Sequence, residues 1–247
     1  ADGLVQGVWG HGDAALPRFG GILAARTEPL RRCLQRDPGF MPNVHVGAMP
    51  PQEGDLAYAL DLMRQDGGQV LAVPCPDFLV DVDKPWHIVE ANYAAARQAT
   101  GALDRTRLDA GAQIHDGADI AADAKLLLGA GAYIGRGCHV AGNAVLGPGA
   151  RVTSGAILGA GVVLGADTRC EEYGKIRPGS VLGDHALVSH CAEFGGVALD
   201  VVYLYHYCCI TALIGSHVDI GAATCCGTWR FDNGVRAQQV DGRREYP

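Results

Sequence analysis

Leu128 to Phe194 reads LGAGAYIGRGCHVAGNAVLGPGARVTSGAILGAGVVLGADTRCEEYGKIRPGSVLGDHALVSHCAEF. Stepping by six from Leu128 lands on Ile134, Val140, Leu146, Val152, Leu158, Leu164, Cys170, Ile176, Leu182, Val188 and Phe194, and all twelve positions are apolar. In a chain that is 48% apolar, chance produces such a run on the order of once in 10,000 trials, and a fixed period of this kind marks a repeat architecture. The residue after each anchor is Gly at seven of the twelve: Gly129, Gly135, Gly147, Gly159, Gly165, Gly183 and Gly195. Four places after each anchor the residue is small, from Ala132, Cys138 and Ala144 through Ser180 to Ala186, Ala192 and Ala198.

These three constraints have one physical explanation. Each hexapeptide is a short strand plus a turn, with the aliphatic anchor and the small residue facing a narrow interior, and with Gly relaxing the backbone at the turn. Three such strands close a triangular coil, so residues eighteen apart stack. The expected fold is mainly β: a left-handed parallel β-helix, an exception to the right-handed rule for crossovers that the specific six-residue pattern justifies. The pattern starts earlier, at Leu108, Ile114 and Ile120, and reaches Leu128 after a two-residue slip. It breaks again after Phe194 and resumes at Val202, Cys208, Ile214, Ile220 and Cys226. The β-helix is therefore expected over 108–235, about seven coils, with a loop ejected near 196–207. Cys170, Cys208 and Cys226 fall on anchor positions, so they are read as buried thiols acting as small hydrophobes, with Cys208 and Cys226 stacked.

Composition agrees. Gly is 35 of 247 residues, aromatics are 6% and charged residues 19%, which suits tight turns between short aliphatic strands better than a helical bundle. The net charge of −7 argues against a partner tracked through its phosphates, so no nucleic-acid binding is expected. No run of apolar residues is long enough to span a membrane, and no signal peptide opens the chain. Nine cysteines without a disulfide-scaffold spacing read as reduced thiols in a cytoplasmic protein. Residue 1 is Ala, which fits removal of something upstream.

Residues 1–99 lack the six-residue period and read as a small α/β segment. Glu53-Gly54-Asp55 leads into an amphipathic helix carrying Leu56, Ala57, Leu60 and Met63, ended by Gly67-Gly68. Gln69 to Pro74 (QVLAVP) reads as a buried strand. Pro85 and Trp86 open a second helix through about Gln98, with Ile88, Val89 and Tyr93 on one face. A linker covers 100–107, and 236–247 form a C-terminal tail. No Gly-rich phosphate loop precedes a helix.

Phe78 to Asn92 (FLVDVDKPWHIVEAN), together with Gly20-Gly21-Ile22 and Glu53 to Met63 (EGDLAYALDLM), resembles the last third of the nucleotidyltransferase domain of sugar-1-phosphate nucleotidyltransferases. Lys175 to Gly179 (KIRPG), Ala192-Glu193-Phe194 and Ile220 to Asn233 (IGAATCCGTWRFDN) extend the likeness. The chain is similar to the bifunctional N-acetylglucosamine-1-phosphate uridyltransferase/glucosamine-1-phosphate acetyltransferase group, over most of 18–235. That resemblance implies a remnant of a nucleotidyltransferase domain joined to a trimerising β-helix.

It also implies roles. Asp81 or Asp83 matches an Asp that helps hold Mg²⁺ at the phosphates, and acetyl-coenzyme A is the implied acyl donor. Arg177 matches an Arg that grips the sugar nucleotide's phosphate, and Glu193 belongs to the same substrate-binding stretch. Tyr205 or His206 falls where the group has its catalytic His, and His206 would take a proton from a sugar amine. Thr228 stands where an Asn near the acetyl site is expected. Arg230 and Asp232 either contact ligand phosphate or pair across a trimer interface. Against the group's pattern, the Gly-rich nucleotide loop is missing, Gly195 replaces a Lys, and the coils of the coenzyme A site are absent, so catalysis is expected to be incomplete in the chain as given.

Several readings stay open. The first is a sugar-phosphate nucleotidyl- or acyltransferase-like protein that binds a nucleotide sugar or phospho-sugar at β-helix subunit interfaces. The second is a catalytically degenerate homologue serving as a trimeric scaffold or regulatory subunit, with other protein subunits as partners. A third is a zinc site like that of γ-class carbonic anhydrases, suggested by His185 and His190 five residues apart. The sequence also fits a piece of a longer enzyme.

Overall fold

The structure is a computed structural model that describes residues 3–8, 19–36, 56–75, 78–227, 230–234, 236–240 and 242–246. The chain divides into two compact units, Ala1–Leu79 and Val80–Pro247.

In the first unit, helix α1 (Thr27–Arg36) packs on helix α2 (Leu56–Gln65) through Cys33, Ala59, Leu62 and Met63. The sequence marks α2 by its apolar spacing and singles out nothing for α1. The residues leading into α2, Glu53 to Asp55, lie outside the described residues. The strand expected at Gln69 to Pro74 does not form. The segment makes a single isolated antiparallel bridge, Leu4 to Leu71, and Leu71 and Val73 are exposed. An apolar run signals burial only where a neighbouring sheet is present to cover it, and among the described residues of this unit there is none.

The second unit is built on a parallel β-solenoid of about six turns. Its strands are two or three residues long in most coils and stack in parallel register on the coil before. Leu128 pairs with Leu146, and Leu164 with Leu182, each eighteen residues on. All twelve anchors from Leu128 to Phe194 are buried, and Phe194 is the largest fully buried side chain. The small residues four places later are buried too, because the interior has no room for a second large side chain.

Glycine after the anchor has a different cause from the one its spacing suggested. These residues are not in left-handed conformations. A Cβ at Gly147 would sit 2.7 Å from the carbonyl carbon of Gly165, and one at Gly159 would sit 2.4 Å from the Pro178 nitrogen. Successive coils approach too closely there for any side chain.

The coils shrink along the solenoid. Leu108 pairs with Leu128, twenty residues on, and later coils take eighteen. Leu182 then pairs with Ala198, and Phe194 with Ile210, only sixteen residues on. The loop expected near 196–207 is not ejected. Instead Glu193–Ala198 forms one continuous six-residue strand that pairs with both Lys175–Ile176 and Val181–Leu182. Two residues are lost at the corner, and the chain runs straight through it. Cys209–Ile214 copies this strand on the next coil. The same contraction changes the cysteine register. Cys208 is buried, but Cys209, not Cys208, bridges to the next coil, at Cys225, and Cys226 is exposed. Burial pushes the Cys170 thiol well above its usual range.

Helix α3 (Pro85–Gly101) starts with Pro at its first turn and lies along one flat face of the solenoid. The outward residues of that face form an apolar column of Leu127, Val145, Val163, Val181, Val197 and Leu213. The Asn143 amide ties the two, donating to the Thr100 carbonyl at 2.9 Å while its oxygen accepts from Lys125 N at 2.8 Å. Beyond Val218–Ile220 the coil continues to the Cys209–Cys225 bridge, and further on Gln238–Val240 pairs antiparallel with Arg243–Glu245. Glu245 pairs with Lys84 at 3.1 Å. No described helix is long and apolar enough to cross a membrane.

Gly196 makes the straight-through strand possible. Its φ is +116, and a Cβ there would lie 2.2 Å from the Ala212 carbonyl oxygen. Gly196→Ala is expected to cost about 3 kcal/mol or more, read as a lowered urea midpoint, whereas Gly215→Ala, in open space, is expected to stay near wild type.

Candidate functional site

One corner of the solenoid carries most of the chemistry. It follows the strands Arg151–Val152, Arg169–Cys170, Leu187–Val188 and Val202–Leu204. The backbone turns there through adjacent left-handed pairs: Ser154 with Gly155, Glu172 with Tyr173, His190 with Cys191, and His206 with Tyr207. Among the described residues, every such adjacent pair lies on this corner. A non-glycine residue in this conformation costs about 1–2 kcal/mol, so the corner holds strain that a Gly-Gly turn would avoid.

The side chains of these pairs line an open cleft of about 420 Å³. His190 Nε2 lies 2.5 Å from a Glu172 oxygen, and Ser189 Oγ donates to the same oxygen at 3.2 Å. The His206 ring stacks on the His190 ring, with centroids 4.5 Å apart and planes 11° from parallel. Tyr205 leans on both rings, at 6.0 Å from His190 and 5.6 Å from His206. Burial pushes the Tyr205 hydroxyl above its ordinary range. His206, a candidate base in the sequence, thus stands on a second histidine anchored by a carboxylate. The sequence does not assign Glu172, Tyr173 and Tyr207 a role, and it reads His190 only as a zinc ligand.

A second cluster sits on the face that this corner leads into. Lys175, Glu193 and Cys209 stack in register on three successive coils, with Arg177 and Thr211 two places further along. Arg177 Nε donates to Glu193 at 2.5 Å, one terminal nitrogen donates to Thr211 Oγ1 at 2.7 Å, and the other lies 3.6 Å from Cys209 Sγ. Lys175 adds a longer contact to Glu193 at 3.4 Å. Gly195 is the position where the resembled group has a Lys, and a Cβ there would lie 2.9 Å from Arg177 Cδ. The hydrogen bond from Arg177 holds the Glu193 carboxyl below the usual range against its partial burial, and the same bond raises Arg177.

The other candidates fall elsewhere. Arg230 and Asp232 form a local, exposed ion pair, and Asp232 also accepts from Gly234 N at 3.0 Å. Arg230 holds the Asp232 carboxyl down at about 2. Thr228 and Trp229 lie outside the described residues. Asp81 and Asp83 are exposed in the extended lead-in to α3. The Asp83 carboxylate meets His87 Nδ1 at 2.7 Å and Lys84 Nζ at 3.9 Å, and no side chain caps the helix at Lys84. His185 faces Asp167 at 3.8 Å, while His190 faces Glu172. Among the described residues, no three His, Cys, Asp or Glu side chains converge in a way that could hold a metal ion.

No protein-family model matches this chain, and no curated protein matches it either. The site therefore rests on its own geometry. The register locates the missed residues, since Ser154, Glu172 and His190 are spaced by eighteen and His206 follows by sixteen. The contraction after Phe194 takes His206 out of that eighteen-residue period.

The Arg177–Glu193 pair predicts a pH dependence. A carboxyl held below its ordinary value contributes stability that is present above about pH 4.5 and is lost as the pH falls through the lower folded value. Thermal unfolding followed from pH 6 down to pH 3 is expected to show this loss, and Glu193→Gln is expected to flatten that part of the profile by about 1 kcal/mol.

Proposed function

We propose that this chain is a sugar-phosphate nucleotidyl- or acyltransferase-like protein, binding a nucleotide sugar or phospho-sugar on the solenoid. The observation that carries the reading is the Lys175–Arg177–Glu193–Thr211 cluster beside the corner that holds His206. An Arg fork suits a phosphate, and Lys175 adds a second cation. His206 would act as general base toward a sugar amine or hydroxyl, held in place by its stack on His190.

The resemblance in Lys175 to Gly179 and Ala192 to Phe194 supports the same assignment. With it come a left-handed coil, a trimer whose interfaces complete the ligand site, a remnant of a nucleotidyltransferase domain upstream and a cytoplasmic location. We draw no step through Mg²⁺ or acetyl-coenzyme A.

One observation favours a second reading, that of a catalytically degenerate scaffold or regulatory subunit. The Arg177 fork is already taken by Glu193, Thr211 and Cys209, so an incoming phosphate must displace the carboxylate.

Thermal unfolding in millimolar UDP-glucose, glucose 1-phosphate or inorganic phosphate separates the two. The transferase-like reading expects a rise of about 3 °C with at least one phosphate-bearing probe, lost in Arg177→Ala. No shift with any probe, and a stable partner purifying with the chain, would give the scaffold reading the lead. Light scattering at three chain masses is expected under both.

A further inference from the structure

The last turn of the solenoid brings two cysteines together. Cys209, which opens the strand Cys209–Ile214, bridges in parallel to Cys225 on the coil that follows. Cys209 N donates to the Thr224 carbonyl at 2.9 Å and Cys226 N donates to the Cys209 carbonyl at 3.0 Å, which fixes that register. Residues paired in this way project to the same side of a sheet, with Cα atoms about 4.8 Å apart. A disulfide needs a Cα separation of about 4.4–6.8 Å, so this pair can form one without moving the backbone far. Both thiols are free, Cys209 half-buried and Cys225 exposed.

The neighbouring cysteines are placed differently. Cys208 is buried, and its Sγ lies 2.8 Å from the Tyr205 carbonyl and 3.2 Å from that of Gly221. Cys226 stands one place past the bridge. A cation accompanies the pair: an Arg177 terminal nitrogen lies 3.6 Å from Cys209 Sγ. Glu193 is in register with Cys209 on the coil before, but its carboxylate is engaged by Arg177 and Lys175. Disulfide exchange proceeds through a thiolate, and a guanidinium beside the sulfur offers that thiolate a counter-charge.

We propose that Cys209 and Cys225 form a reversible disulfide that fastens the last coil to the one before it, with Cys209 as the attacking thiol, Arg177 as its counter-charge and Cys225 as the resolving thiol. The oxidant is a low-molecular-weight disulfide. The Cys209 thiolate attacks one of its sulfurs and expels a small thiolate, leaving a mixed disulfide on Cys209. The Cys225 thiolate then attacks the Cys209 sulfur and expels the second small thiolate. The protons shed by the two protein thiols end on those leaving groups, so two protein thiols are oxidised and one small disulfide is reduced to two thiols. Gly221 to Gly227 are exposed throughout, and the link adds a covalent tie to the hydrogen bonds that hold them, among them Ala223 N to the His206 carbonyl at 2.8 Å. This site stands independently of the sugar-phosphate reading.

Glutathione disulfide is the probe. The folded wild-type chain is incubated with it at pH 7, its remaining thiols are alkylated, and the digest is mapped by mass. One peptide pair joined through Cys209 and Cys225 is expected, two hydrogen atoms lighter than the reduced pair and separated again by a reductant. Cys225→Ser is expected to stop at a glutathione adduct on Cys209, while Cys226→Ser keeps the link. Arg177→Ala is expected to slow its formation by about fivefold or more. The proposal is overturned by a folded chain that forms no link, by a link from Cys209 to any other cysteine, or by an unaltered rate in Arg177→Ala.

Discussion

The second unit depends on one contact repeated along its axis: each buried anchor rests on the anchor of the coil before it. Full burial of a Leu, Ile or Val contributes about 1.5–3 kcal/mol, and the anchors from Leu128 to Phe194 are all buried. The parallel ladders hold those anchors in line, so any change in coil length must be absorbed without moving them. The structure absorbs it at the corners. The coils shorten from twenty to eighteen to sixteen residues, while the inward column from Leu108 through Leu128, Leu146, Leu164 and Leu182 to Ala198 stays unbroken.

The same constraint creates the functional surface. A solenoid offers little choice for its interior, where small and aliphatic residues alternate by necessity. Its corners and outward columns are free to vary. One outward column is apolar and is covered by α3. Another carries Lys175, Glu193 and Cys209 in register. One corner accepts adjacent left-handed residues on coil after coil, and there Glu172, His190 and His206 come together although they are far from consecutive in sequence. Stacking at a fixed rise turns a sequence period into a row of side chains, and such a row is well suited to building a site from single residues.

The contraction after Phe194 links scaffold and site. By running straight through a corner, Glu193–Ala198 brings Gly195 against the Arg177 side chain and Thr211 within hydrogen-bond reach of it. A Lys in place of Gly195 would need Arg177 to move. The local geometry and the departure from the resembled group's pattern are thus parts of one arrangement.

The sequence by itself determined the period, the buried anchors, the small inward residues and the helix that opens at Pro85, all of which follow from short-range rules in which a side chain's environment repeats with its spacing, while Arg177, Glu193 and His206 are candidates through the family resemblance. Only the tertiary structure decided the rest. It showed that the two-residue deficit becomes a straight strand and not a loop, that Cys209 and not Cys208 bridges to the next coil, and that Gln69 to Pro74 makes only an isolated bridge among the described residues. It also placed Glu172 and His190 beneath His206. The straight strand, the cysteine bridge and the histidine stack depend on which residue of a neighbouring coil lies alongside, and register between coils is set by stacking across sixteen to twenty residues, beyond the reach of any local pattern.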